Sequence, residues 1–239
     1  MNETEIQVRE HRSDGLGSPA PAVPVLLIIP ARVADRTLDS CVHAVRDSST
    51  EHPLEILVVW DGAGGGRCDG AVRQTRSPVL SSAAAARNHG ASQLRQGILV
   101  FLDADVLVSP HTVDRLIEPI LAGAAEATVG NYSLDVTGLN FLQSYKQLHV
   151  ATVYGRRRGY IKSEFWTAIG AVRADVFHQL GGFNTGFRGA CGEDTELGQR
   201  LTAAGHRVWA VAEATGRHLH RFTLATLLLN DLRKGTQTA

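Results

Sequence analysis

An uninterrupted apolar segment that ends in two closely spaced acids constrains this chain more than any other stretch. Residues 97–105 read Gly-Ile-Leu-Val-Phe-Leu-Asp-Ala-Asp. The five apolar residues after the glycine favour a strand that is buried on both faces of a mostly parallel sheet. Asp103 and Asp105 would then leave the carboxyl end of this strand, and open α/β sheets bind their ligands at that edge.

Two carboxylates at this edge indicate a site for a divalent cation. Hard oxygen donors of this kind bind Mg²⁺ or Mn²⁺ and leave coordination positions for phosphate oxygens and water. The alternative is that Asp103 and Asp105 only begin a loop, since Asp often forms hydrogen bonds with the backbone in turns.

Composition narrows the class of protein. The 239 residues suffice for one large α/β domain or two small ones, and 24 basic and 24 acidic residues give a net charge of zero. We therefore expect neither nucleic acid nor an anionic membrane as a partner.

The three cysteines, Cys41, Cys68 and Cys191, are few and far apart. This favours reduced thiols that pack as small hydrophobic residues, and a cytoplasmic location. The acidic N-terminus predicts no secretory signal, and no apolar run reaches the roughly 18 to 20 residues of a spanning helix.

The order of apolar patterns predicts one α/β domain after an N-terminal tail. Residues 1–22 mix charges with Gly, Ser and Pro and are expected to be disordered, whereas 23–239 form the domain. In its first half, 23–125, we expect a strand over 25–29 that Pro30 stops, a helix with Leu38, Cys41, Val42 and Val45 on one face, a strand over 55–60 and a helix over 82–94. A further helix would start at Ser109 as N-cap and would be kinked or shortened at Pro119.

The second half, 126–239, is less regular. Its patterns predict strands over 127–132, 165–172 and 207–211, and helices over 139–154, 175–180 and 193–204, with a closing helix around Leu224, Leu227 and Leu228. Peripheral membrane contact through residues 224–229 is compatible with that apolar pattern.

Six short motifs resemble, in the same order, those of the family 2 glycosyltransferases with the A-type fold. The resemblance covers roughly residues 24–222 and rests on Ile28-Ile29-Pro30-Ala31-Arg32, Val58-Val59-Trp60-Asp61-Gly62, Ala86-Arg87-Asn88-His89-Gly90, residues 97–105, Gly181-Gly182-Phe183 and Gly192-Glu193-Asp194-Thr195-Glu196-Leu197. It implies a Rossmann-like sheet with helices on both faces, in which 23–125 bind the nucleotide and 126–239 the acceptor. The family usually has two acids at the end of its second strand, and here Trp60 takes the first of these places.

The resemblance implies inverting transfer of a sugar from a UDP- or GDP-type nucleotide sugar to the hydroxyl of an unidentified acceptor. Asp194 would be the general base, and Glu193 would bind the acceptor or hold the loop, although both acids suit a helix N-terminus in any protein. Asp105 would bind Mg²⁺ or Mn²⁺, and Asp103 would contact the ribose or the water shell of the metal. The nucleotide would contact Pro30, Arg32, Asp61 and Arg87; a surface role for Arg87 and a turn role for Asp61 are the alternatives.

Three further sets of residues have two or more interpretations. His218 and His220 follow the last strand, where several relatives have a histidine metal ligand. We expect the two rings to lie on opposite faces of the strand exit, so that at most one of them reaches the metal. Trp166 would stack on an acceptor sugar or pack in the core. The arginines at 156–158 would bind a diphosphate or a lipid phosphate, or form a solvated turn.

Two other functions compete with sugar transfer. A sugar-phosphate nucleotidyltransferase would need a glycine-rich basic loop after the first strand, and Pro30-Ala31-Arg32-Val33 does not provide it. A non-catalytic nucleotide-sugar-binding protein would not need Asp103, Asp105 and Asp194 together.

Overall fold

The computed structural model describes residues 22–48, 50, 52–68, 72–79, 82–155, 157–187 and 192–220. Residues 1–21 of the predicted tail, the predicted closing helix at 224–229, Arg156 and Cys191 lie outside these residues. In the described part of the chain, no helix has the length and apolarity that a membrane crossing requires.

Strands and helices alternate through the first half and become less regular in the second. In chain order they are β1 (Val25–Val33), α1 (Arg36–Arg46), β2 (Leu54–Gly65), β3 (Arg73–Arg76), α2 (Ala83–Ala91), β4 (Ile98–Leu102), β5 (Val106–Val108), α3 (Thr112–Leu121), β6 (Ala127–Tyr132), α4 (Phe141–Tyr154), β7 (Gly159–Ile161), β8 (Ile169–Arg173), α5 (Ala174–Gln179), α6 (Glu193–Ala203) and β9 (Val208–His218).

A single sheet joins both halves, with the described strands in the order β3-β2-β1-β4-β8-β6-β9-β5 and β7 beside β9. The strands β3, β2, β1 and β4 are parallel, and their carboxyl ends therefore meet at one edge. Strand β8 continues the sheet antiparallel to β4. The predicted Rossmann-like α/β fold is confirmed, whereas the division of the domain at residue 125 stays a prediction.

The core lies on both faces of the sheet, as the apolar β4 sequence predicts. Leu27 and Ile29 face one cluster of buried side chains, and Leu26 and Ile28 face the other. The predicted apolar face of α1 packs in the first cluster, where Cys41 and Cys68 are buried too. Phe101 on β4 contacts three aromatic rings of the second half, Phe165, Phe177 and Phe183, at centroid distances of 6.3, 5.5 and 5.0 Å.

Proline positions account for the main errors in the predicted boundaries of the first half. Strand β1 continues through Pro30 to Val33, because pairing with β4 ends at Ile28 and Pro30 has a neighbour on one side only. The N-cap of α3 is His111 rather than Ser109, whose hydroxyl lies 3.0 Å from that of Thr215. Pro119 does not shorten α3, which runs to Leu121.

Other elements are longer or shifted because distant strands pair with them. Strand β2 extends past residue 60 to include Asp61, and β9 extends past residue 211 to His218. The strand predicted over 165–172 begins only at Ile169, where its pairing with β4 begins. The short strands β3, β5 and β7 were not predicted, since three or four residues carry no clear period.

Candidate active site

A cavity of about 1000 Å³ opens at the carboxyl ends of β1, β2 and β4. Seven of the predicted site residues line it: Pro30, Arg32, Asp61, Arg87, Asp103, Asp105 and His220. The volume matches the upper range of small-ligand pockets. Glu193, Asp194, Trp166 and His218 are not among the lining residues.

Asp61 is fixed at the wall of this cavity by two hydrogen bonds. Its carboxylate is buried, and its Oδ2 accepts from the Nε of Arg32 at 2.9 Å while its Oδ1 accepts from the backbone N–H of Ser82 at 3.1 Å. Ser82 is in turn the N-cap of α2. Each carboxylate oxygen has a second lone pair, so the side chain retains capacity for a donor on a ligand.

Arg87 is buried and binds two carboxylates. Its Nη2 donates to Oδ1 of Asp103 at 2.8 Å, and its Nη1 donates to Oε1 of Glu193 at 2.9 Å. Its side chain is only 3% exposed, which rules out the simple surface role considered for this arginine.

Asp105 lies beside both histidines of the His-x-His sequence. Its Oδ2 is 3.3 Å from Nε2 of His218 and 3.8 Å from Nδ1 of His220. The expectation that the two rings point to opposite faces is wrong, because side chains alternate along a strand and residues two apart therefore share a face. Strand β9 ends at His218, and the N–H of Leu219 donates to the carbonyl of Asp105 at 2.7 Å.

The charge on Asp105 suits a cation ligand. Burial raises the pKa of its carboxyl, but the hydrogen bond from His218 and the charges of His218 and His220 lower it more, so that the net pKa is below the ordinary value. Asp105 is therefore ionised at neutral pH. Among the described residues, no group of three or more His, Cys, Asp or Glu side chains is arranged to hold a metal ion.

Glu193 and Asp194 begin α6, after Gly192 in the left-handed conformation with φ of 93°. Burial raises the pKa of Asp194, the charge of Arg87 lowers it, and the charge of Asp103 raises it further. Burial likewise raises the pKa of Glu193 against the opposing charge of Arg87. The carboxylate of Asp194 therefore lies close enough to Asp103 and Arg87 to respond to both.

Trp166 has an aromatic neighbour that links it to the histidines. Its ring lies edge-on to Tyr132 at 4.7 Å, and Tyr132 stacks on His218 at 5.3 Å. Trp166 also packs against both core clusters. The contacts of this side chain are those of core packing, and its role in acceptor binding stays a prediction.

The basic turn at 157–158 is neutralised locally. Arg157 forms an ion pair with Glu164, and Arg158 forms one with Glu213 at 2.8 Å. These pairs favour the solvated turn over a phosphate site.

Four polar residues that support the site were not identified from the sequence. Gln143 and Gln147 on α4 hold the end of β9: Gln143 donates to the carbonyls of Leu219 and His220 at 3.2 Å, and Gln147 accepts from the N–H of His218 at 3.1 Å. Their spacing of four residues on a predicted helix was the available signal. The others are Tyr132 and Asn88, the latter within the quoted Ala-Arg-Asn motif.

The model of the family Glycosyltransferase like family 2 matches residues 21–236, and the chain therefore belongs to this family. Its fold is that of the A-type glycosyltransferases among the solved structures. GalNAc-T7 with UDP, GalNAc and Mn²⁺ aligns with a TM-score of 0.65 and 16% identity over 85% of this chain and 45% of that one. The mannosyltransferase PcManGT from Pyrobaculum calidifontis, in complex with GDP-Man and Mn²⁺, aligns with a TM-score of 0.60 and 18% identity over 84% of this chain and 58% of that one.

S. aureus TarS, as residues 1–349, aligns with a TM-score of 0.58 and 12% identity over 81% of this chain and 59% of that one. The chain thus spans about half of the length of the solved proteins that it resembles. No protein of curated function matches its sequence.

Proposed function

We propose that this protein is an inverting, metal-dependent glycosyltransferase that moves a sugar from a nucleotide diphosphate sugar to an acceptor hydroxyl. The observation that carries the proposal is the cavity at the strand ends. Asp103 and Asp105 form part of its wall, and Asp194 directly follows Glu193, whose carboxylate shares Arg87 with Asp103.

The wall formed by β1, β2 and α2 is suited to the nucleotide. Asp61 and Arg32 present a fixed ion pair at one part of the cavity, and Pro30 lies beside them. A carboxylate held in this way can accept a hydrogen bond from an N–H of uracil or guanine. UDP in one solved neighbour and GDP-Man in another support both types of donor.

The residues around Asp105 fit a divalent cation. Asp105 is an ionised oxygen donor, and the imidazoles of His218 and His220 are nitrogen donors that suit Mn²⁺ better than Mg²⁺. When bound, the cation neutralises negative charge on the departing nucleoside diphosphate, which lowers the barrier by several kcal/mol. Because the described side chains do not complete a metal site, the diphosphate oxygens and water are needed as further ligands. Mn²⁺ in two solved neighbours supports this assignment.

Asp194 is the proposed general base. The acceptor oxygen forms a bond to the anomeric carbon while the bond from that carbon to the diphosphate oxygen breaks, and the acceptor proton moves to Asp194. Attack from the face opposite the leaving group inverts the anomeric carbon in one displacement. The raised pKa of Asp194 makes it a stronger base than an ordinary aspartate. An acceptor contact of Trp166 remains part of this proposal. For Glu193, which is 3% exposed and accepts from Arg87, the observations support the structural one of its two predicted roles.

Nucleotide binding and turnover test the proposal in sequence. We expect UDP or GDP to raise the melting temperature of the protein only when Mn²⁺ or Mg²⁺ is present; a ligand at about 100 times its Kd adds about 2.7 kcal/mol. Candidate nucleotide sugars are then tested for release of the nucleoside diphosphate with an acceptor.

Different products separate the competing functions. A nucleotidyltransferase would form a nucleotide sugar and pyrophosphate from a nucleoside triphosphate and a sugar phosphate. A binding protein would show the thermal shift with no turnover of any donor. The cytoplasmic location and the peripheral membrane contact predicted from the sequence stay predictions.

A further inference from the structure

We infer that Arg87 and Asn88 are positioning residues that hold Glu193 and Phe183 against α2 and thereby place Asp194 close to Asp103. They are consecutive residues of α2, and each binds one of these two residues. The inference rests on the proposed function for the role of Asp194 as base, whereas the anchoring itself is independent of that role.

Asn88 binds the backbone of Phe183 with both ends of its side-chain amide. Its Nδ2 donates to the carbonyl of Phe183 at 2.8 Å, and its Oδ1 accepts from the N–H of the same residue at 2.9 Å. The side-chain amide thus pairs with Phe183 as a neighbouring backbone would. The approach is close: a Cβ added to Gly182, which has φ of 74°, would lie 2.7 Å from Oδ1 of Asn88.

Arg87 binds Glu193 and joins the first turn of α6 to the end of β4. Its guanidinium bridges Glu193, 106 positions away in the sequence, and Asp103 at the end of β4. The side chains of Arg87 and Glu193 are both 3% exposed, so water does not replace this contact easily. Removing Arg87 would leave the carboxylate of Glu193 buried and unpaired, which is strongly unfavourable.

Helix α6 is held at its middle by the core, where Leu197 and Leu201 are buried, and by Arg200, which donates to the carbonyls of Leu180 and Gly182, both at 2.7 Å. The Arg87 bonds tie its first turn to the end of β4. Since Asp194 follows Glu193 directly, these bonds restrain its distance from Asp103. Arg87 thus acts on the reaction through Glu193 rather than through contact with the nucleotide.

Hydrogen exchange tests the anchoring without any assay of activity. Arg87→Gln and Asn88→Ala are each expected to increase amide exchange at least tenfold in peptides that span residues 183–196. Arg95→Gln, which changes an exposed arginine just after α2, is the matched control and should leave exchange there unchanged. Unchanged exchange in both anchor variants would overturn the inference, even in an active enzyme.

Kinetics then separate positioning from nucleotide contact. In Arg87→Gln we expect kcat to fall at least 30-fold, while the Kd of UDP or GDP with Mn²⁺, measured by calorimetry, changes less than threefold. A tenfold rise in Kd with kcat retained would show that Arg87 binds the nucleotide and would overturn the positioning role.

The pH profile of kcat supplies a readout that a general loss of stability would not move. The positive charge of Arg87 lowers the pKa of Asp194, and among the described residues the carboxylates of Asp103 and Glu193 also interact with it. Without Arg87, the acid limb of the profile should move to higher pH. An unmoved limb would contradict the electrostatic contact between Arg87 and the base.

A paired variant covers the case in which Arg87→Gln does not fold. The double variant Arg87→Gln with Glu193→Gln leaves no unpaired carboxylate at position 193, and we expect it to fold with fast exchange at 183–196. Glu193→Gln alone keeps an acceptor oxygen for Arg87, and its exchange should stay within threefold of the unchanged protein. If no nucleotide sugar is turned over, the proposed function fails, while the exchange data still decide the anchoring.

Discussion

The two halves of the sheet build their sides of the cavity in different ways. In the first half, Asp61 lies within β2 and Asp103 lies directly after β4, and each follows an apolar run of its strand. In the second half, His218 is placed by the pairing of β9 with β5, and Asp194 by contacts of α6 with α2. The acids of the first half therefore follow from the strands that carry or precede them, whereas the site residues of the second half depend on contacts between residues far apart in sequence.

The largest effect is expected where the second half supplies the base. Asp194→Asn keeps the size of the side chain but removes its ability to take a proton, so kcat should fall about 10³-fold. The thermal shift by UDP or GDP with Mn²⁺ should persist, because the residues proposed to bind the nucleotide and the metal are unchanged. The measurements are steady-state turnover and the melting temperature with and without nucleotide. Retained turnover would place the base elsewhere and would remove the functional contrast between the halves.

The Phe101→Ala variant tests the aromatic contact between the two halves. Phe101 is fully buried on β4 and contacts Phe165, Phe177 and Phe183 of the second half. The cavity left behind should lower the free energy of unfolding by about 3–5 kcal/mol in urea titrations. Tyr145→Ala, at a ring that is 54% exposed, is the control and should change it by less than about 0.5 kcal/mol. A small loss for Phe101→Ala would mean that the aromatic cluster does not join the halves energetically.

The same contrast explains which parts of the fold were predictable. The apolar face of α1 follows from its helical periodicity, and the strand before Asp103 follows from its unbroken apolar run. Both predictions are confirmed. The register of β9 does not follow from its own sequence, because residues after 211 pair with β6 and β5 in register with partners 80 or more positions away. For that reason the strand was predicted to end seven residues early.

For the site, the sequence predicts that the acids lie close together, but it does not predict the groups that hold them. The cavity lining includes Asp61, Asp103 and Asp105, as strand-end logic requires. The sequence alone could not show that Arg87 is shared by Asp103 and Glu193, since that contact depends on how α6 packs on α2. Alternation does place His220 on the same side as His218, since residues two apart along a strand share a face, and both rings lie beside Asp105.

The two histidines provide a finer test of the boundary between the halves. His218 is nearer to Asp105 than His220, and its ring is held against Tyr132. We expect His218→Ala to raise the Mn²⁺ concentration for half-maximal nucleotide-dependent stabilisation about tenfold. His220→Ala, with a ring that is 51% exposed, should raise it less than threefold. The reverse order would assign the ligand role to His220, and no effect of either would restrict the proposed metal site to the first half.

The smallest expected effect concerns an ion pair within the second half. Glu126 accepts hydrogen bonds from Arg207 at 2.7 and 2.8 Å, and these bonds hold the pKa of Glu126 below its ordinary value of 4.5. Because the folded-state pKa is depressed, the stabilisation is present above the unfolded-state pKa and is lost as the pH falls through the folded-state pKa. Arg207 is about half exposed, so solvent screens the pair.

Glu126→Gln should therefore lower the melting temperature by only about 1–2 °C at neutral pH, and the difference should shrink below pH 4.5. Thermal unfolding at pH 7 and at pH 3.5 checks this, with the exposed Glu118→Gln as the control. A difference that persists unchanged at low pH would mean that Glu126 stabilises the junction of β6 and β9 by packing rather than by charge. The long-range contacts of the second half would then depend less on its ion pairs than on its apolar side chains.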